Sequence, residues 1–210
     1  MRVSDPHDRP QPDGSDRRLA TGADVEALAP RLAAAFQNTP GMGWTFRDPG
    51  KRLHRLTVGF ALYLREIWLP GGACHTTDRL AGAACWLPPG NWHLPISTQL
   101  RLLPRVVAHA RGDVTRLMRW QRIAEGKHPR EPHWYLALLG VDPALQGRGY
   151  GPHLMRPALD RCDSDRLPAY LETDTEANVA LYERHGFAVT ERFELPGNGP
   201  PVWLMWREPG

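Results

Sequence analysis

The sequence lacks the marks of several protein classes. Its three cysteines, Cys74, Cys85 and Cys162, are an odd number without C-x-x-C pairing, which suits a reducing compartment and argues against a disulfide framework or a zinc site. Nine histidines show no short His-x-x-x-His spacing, so no metal is expected. Lysine is nearly missing, with Lys51 and Lys127 alone, and a net charge of +3 over 210 residues is mild. A nucleic-acid binder would show a basic stripe with interleaved aromatics, and none is visible. No uncharged apolar run reaches the ~18 residues that a membrane-spanning helix needs. The N-terminal Met1-Arg2-Val3-Ser4-Asp5-Pro6 carries no apolar signal stretch, so the expectation is a cytoplasmic protein engaging neither membrane nor nucleic acid.

What is present is globular: 41% apolar and 23% charged residues, enough for one medium domain with a real core. Residues 1–16, polar and proline-rich, read as a flexible tail ahead of a single domain over 17–210. Arg17 to Ala20 suits a short edge strand. Val25, Leu28, Leu32 and Phe36 follow helical spacing after Thr21, with Asp24 and Glu26 placed for the helix dipole. Pro40, Gly41, Gly43, Pro49 and Gly50 mark a loop over 38–50. A second helix presents Leu53, Leu56, Phe60, Leu64 and Ile67, and stops at Pro70-Gly71-Gly72. Apolar runs at 73–77 and 80–87 suggest a hairpin. Residues 96–127 read as helix divided at Gly112, with Leu100, Leu103, Val107, Val114, Leu117 and Ile123 as the apolar set.

The last third is denser in signal. His133 to Val141 is too apolar to face water on either side, so it is a central strand. A helix bearing Leu154, Met155, Ala158 and Leu159 follows a glycine-rich turn. Ala169 to Thr173 is another strand, and a helix from about Glu176 to His185 ends at Gly186. Strands over 187–195 and 201–207 close the chain.

The turn is Gln146-Gly147-Arg148-Gly149-Tyr150-Gly151, between a buried strand and a helix. Unpaired N–H groups and the positive dipole end of a helix start suit a phosphate, and glycines let it approach the backbone. A tight turn that needs glycine only for its angles is the alternative. The dinucleotide fingerprint fails at Pro152, and the P-loop fails for want of Gly-Lys-Ser/Thr.

Q-x-x-G-x-G after Leu139-Gly140-Val141-Asp142-Pro143 resembles the GNAT superfamily of acyl-coenzyme A-dependent N-acetyltransferases. Leu171-Glu172-Thr173, Asn178, Leu181-Tyr182-Glu183-Arg184 and Gly186-Phe187 extend that resemblance over 131–207. It implies an α/β fold: a mixed, mostly antiparallel central sheet, flanked by helices and splayed at the central strands. It also implies that the turn binds the coenzyme A pyrophosphate. The cofactor contacts expected from it are Leu139, Gly140, Val141, Gln146, Gly147, Arg148, Gly149, Tyr150, Gly151, Asn178 and Tyr182, with acetyl-coenzyme A as cosubstrate.

Within the superfamily, Ala33-Ala34-Ala35-Phe36 and His128-Pro129-Arg130-Glu131-Pro132 are similar to the puromycin N-acetyltransferases. That likeness implies a small-molecule amine acceptor, such as a puromycin-like antibiotic, and a role in resistance. Tyr182 is the expected general acid, since a phenol keeps its proton at neutral pH, and Glu172 the expected base. Val141 N–H is the expected partner of the thioester oxygen. Phe36, Trp44, Phe60, Trp68, Trp86 and Trp92 could line an acceptor site or belong to the core. Histidines 75, 93 and 185 read as bystanders. Direct transfer by a monomer or homodimer is the simplest scheme; a protein N-terminus or lysine acceptor, or a silent acyl-coenzyme A-binding module, are the alternatives.

Overall fold

The structure, a computed structural model, describes Pro12 and residues 16–210. The expected tail over 1–16 lies outside the described residues, apart from Pro12 and Asp16. The strands are β1 Arg17–Leu19, β2 Ala73–Thr77, β3 Gly82–Leu87, β4 Trp134–Val141, β5 Ala169–Thr173, β6 Ala188–Glu194 and β7 Pro201–Arg207. They form one sheet in the order β1-β2-β3-β4-β5-β7-β6, antiparallel except for the β4–β5 pair. The apolar strand β4 is thus the middle one of seven. The helices are α1 Val25–Phe36, α2 Pro40–Thr45, α3 Pro49–Tyr63, α4 Leu69–Gly71, α5 Ile96–Ala110, α6 Val114–Lys127, α7 Tyr150–Asp165 and α8 Glu176–Glu183.

Side chains of β3 alternate between two cores. Ala83, Cys85 and Leu87 meet α1 and α5 through Leu28, Leu32, Leu102 and Val106. Ala84 and Trp86 meet Leu154, Met155, Ala158 and Leu159 of α7 on the opposite face. All six β3 residues are buried, as a strand covered on both faces must be. Gly140 admits α1 to the sheet, since a Cβ there would lie 2.7 Å from Leu32 and 2.8 Å from Phe36.

Opposite the Cys85–Trp86 step, β4 carries one extra residue: Cys85 pairs with Leu138 and Trp86 with Leu136, leaving Ala137 as a bulge. On the other side of β4, the ladder to β5 runs through Trp134–Ala169, Tyr135–Tyr170 and Leu136–Leu171 and stops there. Both strands continue, to Val141 and Thr173. The sheet therefore splays from the level of the bulge onward, as the resemblance implied.

Several expectations need correction. The expected loop over 38–50 contains α2, because Thr39 accepts the Met42 N–H as a cap and Pro40 occupies the first helical position. Pro49 likewise opens α3, with Asp48 capping the Gly50 N–H. Leu53 is exposed, not core. A π-helical segment over 64–68 joins α3 to α4. In α5 the buried set is Leu102, Val106 and Ala110, while Leu100 stands 65% exposed and Leu103 and Val107 are also outside. Both stripes have helical spacing, so periodicity alone could not choose between them.

At the chain's entry, Asp24 accepts two hydrogen bonds from Arg18, at 2.8 Å each, and two from Thr21, at 2.7 and 3.0 Å. These hold its carboxyl below the ordinary range, with the Arg18 bonds as the largest cause. A depressed carboxyl stabilises the fold above its unfolded pKa and stops doing so as pH falls toward the folded value. Asp24→Asn should therefore cost about 1 kcal/mol near neutrality, a figure discounted for the partly exposed Arg18. The gap to wild type in urea midpoint should begin to narrow below about pH 4 and go on shrinking as the pH falls further.

Candidate active site

The gap between β4 and β5 is bounded below by the glycine turn. Asp142 N–H donates to the Ala81 carbonyl at 2.8 Å, so by strand alternation the Val141 N–H and carbonyl face the gap. Gln146 reaches back, its Nε2 donating to that Val141 carbonyl at 3.1 Å. Pro143–Leu145 makes a short 3-10 turn, and the chain then passes Gly147 at φ 75° and Gly149 at φ 85°. These left-handed angles, not crowding, require glycine at both positions, since a Cβ at Gly147 would meet nothing within 4 Å. The helix α7 begins at Tyr150, whose side chain is buried in the core. Its first turn ends the loop with N–H groups directed outward along the helix axis. Arg148 folds onto the Ala144 carbonyl at 2.8 Å. Gly140, also expected among the cofactor contacts, packs against Leu32 and Phe36 of α1.

The opposite wall is built by β5 and α8. Glu172 lies beside the gap, clamped between two phenols: Tyr170 donates to Oε1 at 3.0 Å and Tyr135 to Oε2 at 3.2 Å. Burial, and then the Glu172 charge, push both phenols above their ordinary range, so both remain hydrogen-bond donors. Asn178 and Tyr182, one turn apart on α8, line the same cavity as Glu172 and Leu136 to Leu139 of β4. Tyr182 is buried against Phe187; burial pushes its hydroxyl up and Asp174 adds to the shift, so it holds its proton throughout the neutral range.

That cavity measures about 280 Å³, and Phe36, Phe46, Phe60, Tyr63, Trp68 and Trp120 are among the rings that line it. Two buried polar side chains stand on its wall, His109 (9% exposed) and Thr45 (1% exposed), and the Thr45 hydroxyl has no hydrogen-bond partner among the described residues. A second cavity of about 470 Å³ shares Tyr63, Trp68, Trp120, Tyr135 and Glu172 with the first, and adds Trp92 and His128. Glu172 therefore stands where the two spaces meet. Of the aromatics singled out in the sequence, Phe36, Phe60, Trp68 and Trp92 line these spaces. Trp86 is wholly within the core, and Trp44 packs on Trp120 at 6.4 Å.

Histidines 75, 93 and 185 line neither cavity. The three cysteines are buried; burial pushes the Cys162 thiol up to about 12 and Cys85 well above its usual value. Neither thiol is a nucleophile at neutral pH. Sequence reasoning found the Glu172–Tyr170 face through strand alternation. It missed Tyr135, which reaches Glu172 from the other strand, and Asp174, whose Oδ2 accepts the Gly41 N–H at 2.6 Å across the cavity rim.

Comparison with known proteins gives four matches. The acetyltransferase (GNAT) family model matches residues 65–187. An uncharacterized N-acetyltransferase of Schizosaccharomyces pombe is 29% identical over 198 residues, covering 89% of this chain and 80% of that protein. A mycothiol acetyltransferase of Streptomyces avermitilis is 37% identical over 67 residues, 30% of this chain and 22% of that protein. Among solved structures, a histone acetyltransferase HPA2 and related acetyltransferase from Corynebacterium glutamicum superposes with TM-score 0.71 at 24% identity, covering 93% of this chain and 96% of that one.

The rim contact can be tested by steric means. A Cβ on Gly41 would come within 2.4 Å of Trp120 and 2.5 Å of Asp174 Oδ2, whereas one on Gly43 would meet only Arg52, at 3.9 Å. Gly41→Ala should destabilise the protein by about 1–3 kcal/mol in urea unfolding. Gly43→Ala should be neutral or stabilise by up to ~1 kcal/mol, being a helical glycine with room for a methyl group.

Proposed function

The chain belongs to the GNAT family of acetyltransferases, and from that premise we propose that it transfers the acetyl group of acetyl-coenzyme A directly to a primary amine of a small molecule with an apolar or aromatic body. The observation that carries the acceptor class is the aromatic cavity of about 280 Å³ that opens on the splay beside Glu172 and Tyr182. A surface peptide would be better served by an open acidic groove. Thr45, whose buried hydroxyl has no partner among the described residues, suits an acceptor that also carries a polar group away from its amine.

The residues present fit acetyl-coenzyme A. Gly147 and Gly149 take left-handed angles at the start of α7, where N–H groups and the helix dipole favour a pyrophosphate. The Val141 N–H faces the gap, and Leu139 and Asn178 line it. The cosubstrate supplies an acetyl group activated as a thioester. Val141 N–H is positioned to stabilise negative charge developing on the thioester oxygen. Glu172, held between two phenol donors, takes a proton from the bound ammonium so that the free amine can attack, and Tyr182 donates its proton to the departing thiolate.

Coenzyme A thiol release tests this across puromycin, phenethylamine, spermidine, and peptides with a free N-terminus or lysine. Turnover is expected with the apolar-bodied small amines, puromycin among them. Tyr182→Phe should lower kcat by ~10²-fold. Glu172→Gln should lose activity near neutrality and regain it at higher pH, where the free amine becomes abundant. Gly149→Val should weaken acetyl-coenzyme A binding by about tenfold, because its left-handed angle is then strained. Binding of acetyl-coenzyme A without turnover on any amine would identify a silent binding module; preference for the peptides would overturn the acceptor class.

A further inference from the structure

Two buried imidazoles stand behind Glu172. His128 follows α6 and His133 precedes β4, and the segment between them, with Pro129 and Pro132, sets their Nε2 atoms 3.0 Å apart. Nitrogens at that distance share one proton. His133 Nδ1 lies 2.6 Å from the Glu131 carbonyl oxygen, which only accepts, so Nδ1 carries a hydrogen. His133 is 1% exposed, and burial holds its imidazole below the ordinary range. It is therefore neutral, and its Nε2 is a bare acceptor. The shared proton sits on His128 Nε2, which leaves His128 Nδ1 without one, facing Glu172 Oε1 at 3.9 Å.

We propose that His128 receives the proton Glu172 removes from the acceptor amine, and that His133 holds His128 in the only neutral tautomer able to receive it. This rests on the acetyltransferase reading given above. The amine N–H bond breaks as a Glu172 O–H bond forms. That O–H then breaks as a bond to His128 Nδ1 forms, returning Glu172 to the carboxylate and making His128 an imidazolium. A separation of 3.9 Å exceeds a hydrogen bond, so the proton crosses through an intervening water or a small approach of the two side chains. Trp92, stacked on His128 at 3.8 Å and 24°, holds the ring in that orientation. His128 lines the second cavity, and the proton leaves through it. His133 goes no further, because a carbonyl accepts a hydrogen bond and not a proton. Both histidines are thus positioning residues acting through Glu172.

The ionisable groups around the pair come from every element packed on it. They are Tyr135 on β4, Tyr170 and Glu172 on β5, and Glu131 in the connector. Glu191 on β6 bears on Tyr170, and Arg122 and Glu125 of α6 share the second cavity with His128. His128 must be neutral to receive the proton.

The experiment is a double-variant cycle read as pH–rate profiles, using acetyl-coenzyme A and whichever amine of the panel turns over fastest. His128→Gln keeps an N–H for His133 but no titrating acceptor. It should lower kcat by about 10- to 100-fold near pH 7, with the KM for acetyl-coenzyme A held within about twofold. The deficit should narrow toward about pH 10 as free amine accumulates. In a Glu172→Gln background the same change should cost nothing more. Long-range proton–nitrogen NMR on the wild type should find His128 as the Nε2–H tautomer and His133 as the Nδ1–H tautomer, and His133→Phe should release the His128 preference. Parallel pH profiles, additive losses, or His128 carrying its hydrogen on Nδ1 would overturn the relay in an active enzyme. Absence of wild-type turnover with every amine overturns the acetyltransferase function instead, and the proton transfer with it. If His128→Gln fails to fold, the wild-type tautomers decide.

Discussion

The site depends on one interruption of backbone pairing. The β4–β5 ladder ends at Leu136 and Leu171, level with the Ala137 bulge, though both strands run on. Main-chain groups left without a partner in a protein interior cost about 1–3 kcal/mol each, so such a gap persists only where its two edges are held from outside. β4 is held by β3, at an approach so close that a Cβ on Gly82 would lie 2.2 Å from the Gly140 carbonyl oxygen. β5 is held by β7 along its whole length, from Ala169–Arg207 to Thr173–Trp203. The surrounding sheet keeps open a slot that its own hydrogen bonding would otherwise close.

Chemistry and selectivity are divided between the two halves of the chain. The loop, the slot, Glu172, Asn178 and Tyr182 all come after residue 134, whereas most of the aromatic cavity comes from α1, α3 and their neighbours. A few contacts lock the halves together. Asp174 accepts the Gly41 N–H at 2.6 Å, and Trp44 donates to the Pro196 carbonyl at 3.2 Å. Glu172 and the slot are thus fixed by the sheet, and most of the cavity's aromatic lining is set by the helices around it.

What was legible in the sequence follows the same division. β5 and β7 are found at the residues where composition and turn chemistry place them, and the glycine turn takes the left-handed angles its residues allow. There each signal is local: an apolar run, a turn residue, a helix cap. The helical half was less legible because its decisions are tertiary. Nothing local says which of two apolar stripes of α5 turns inward, or that Pro40 and Pro49 begin helices rather than prevent them. The Ala137 bulge is equally silent, since alanine in an apolar run has no signature. Tyr135 and the His128–His133 pair become recognisable only once β4 and β5 stand side by side.

The π-helical segment over 64–68 has a consequence for how this cavity can change. Tyr63 and Trp68 are five positions apart, a spacing that would set them about 140° apart around an α-helix. With the wider turn their rings come together at 5.5 Å, and both face the two cavities. Such a turn amounts to one residue inserted into a helix. Losing that residue would rotate everything on one side of it by about 100° relative to the other. A single-codon deletion or insertion here would exchange the rings presented to the acceptor while the slot in the sheet stayed untouched. The rings at this segment can therefore be re-aimed without disturbing the pairing of β4 and β5.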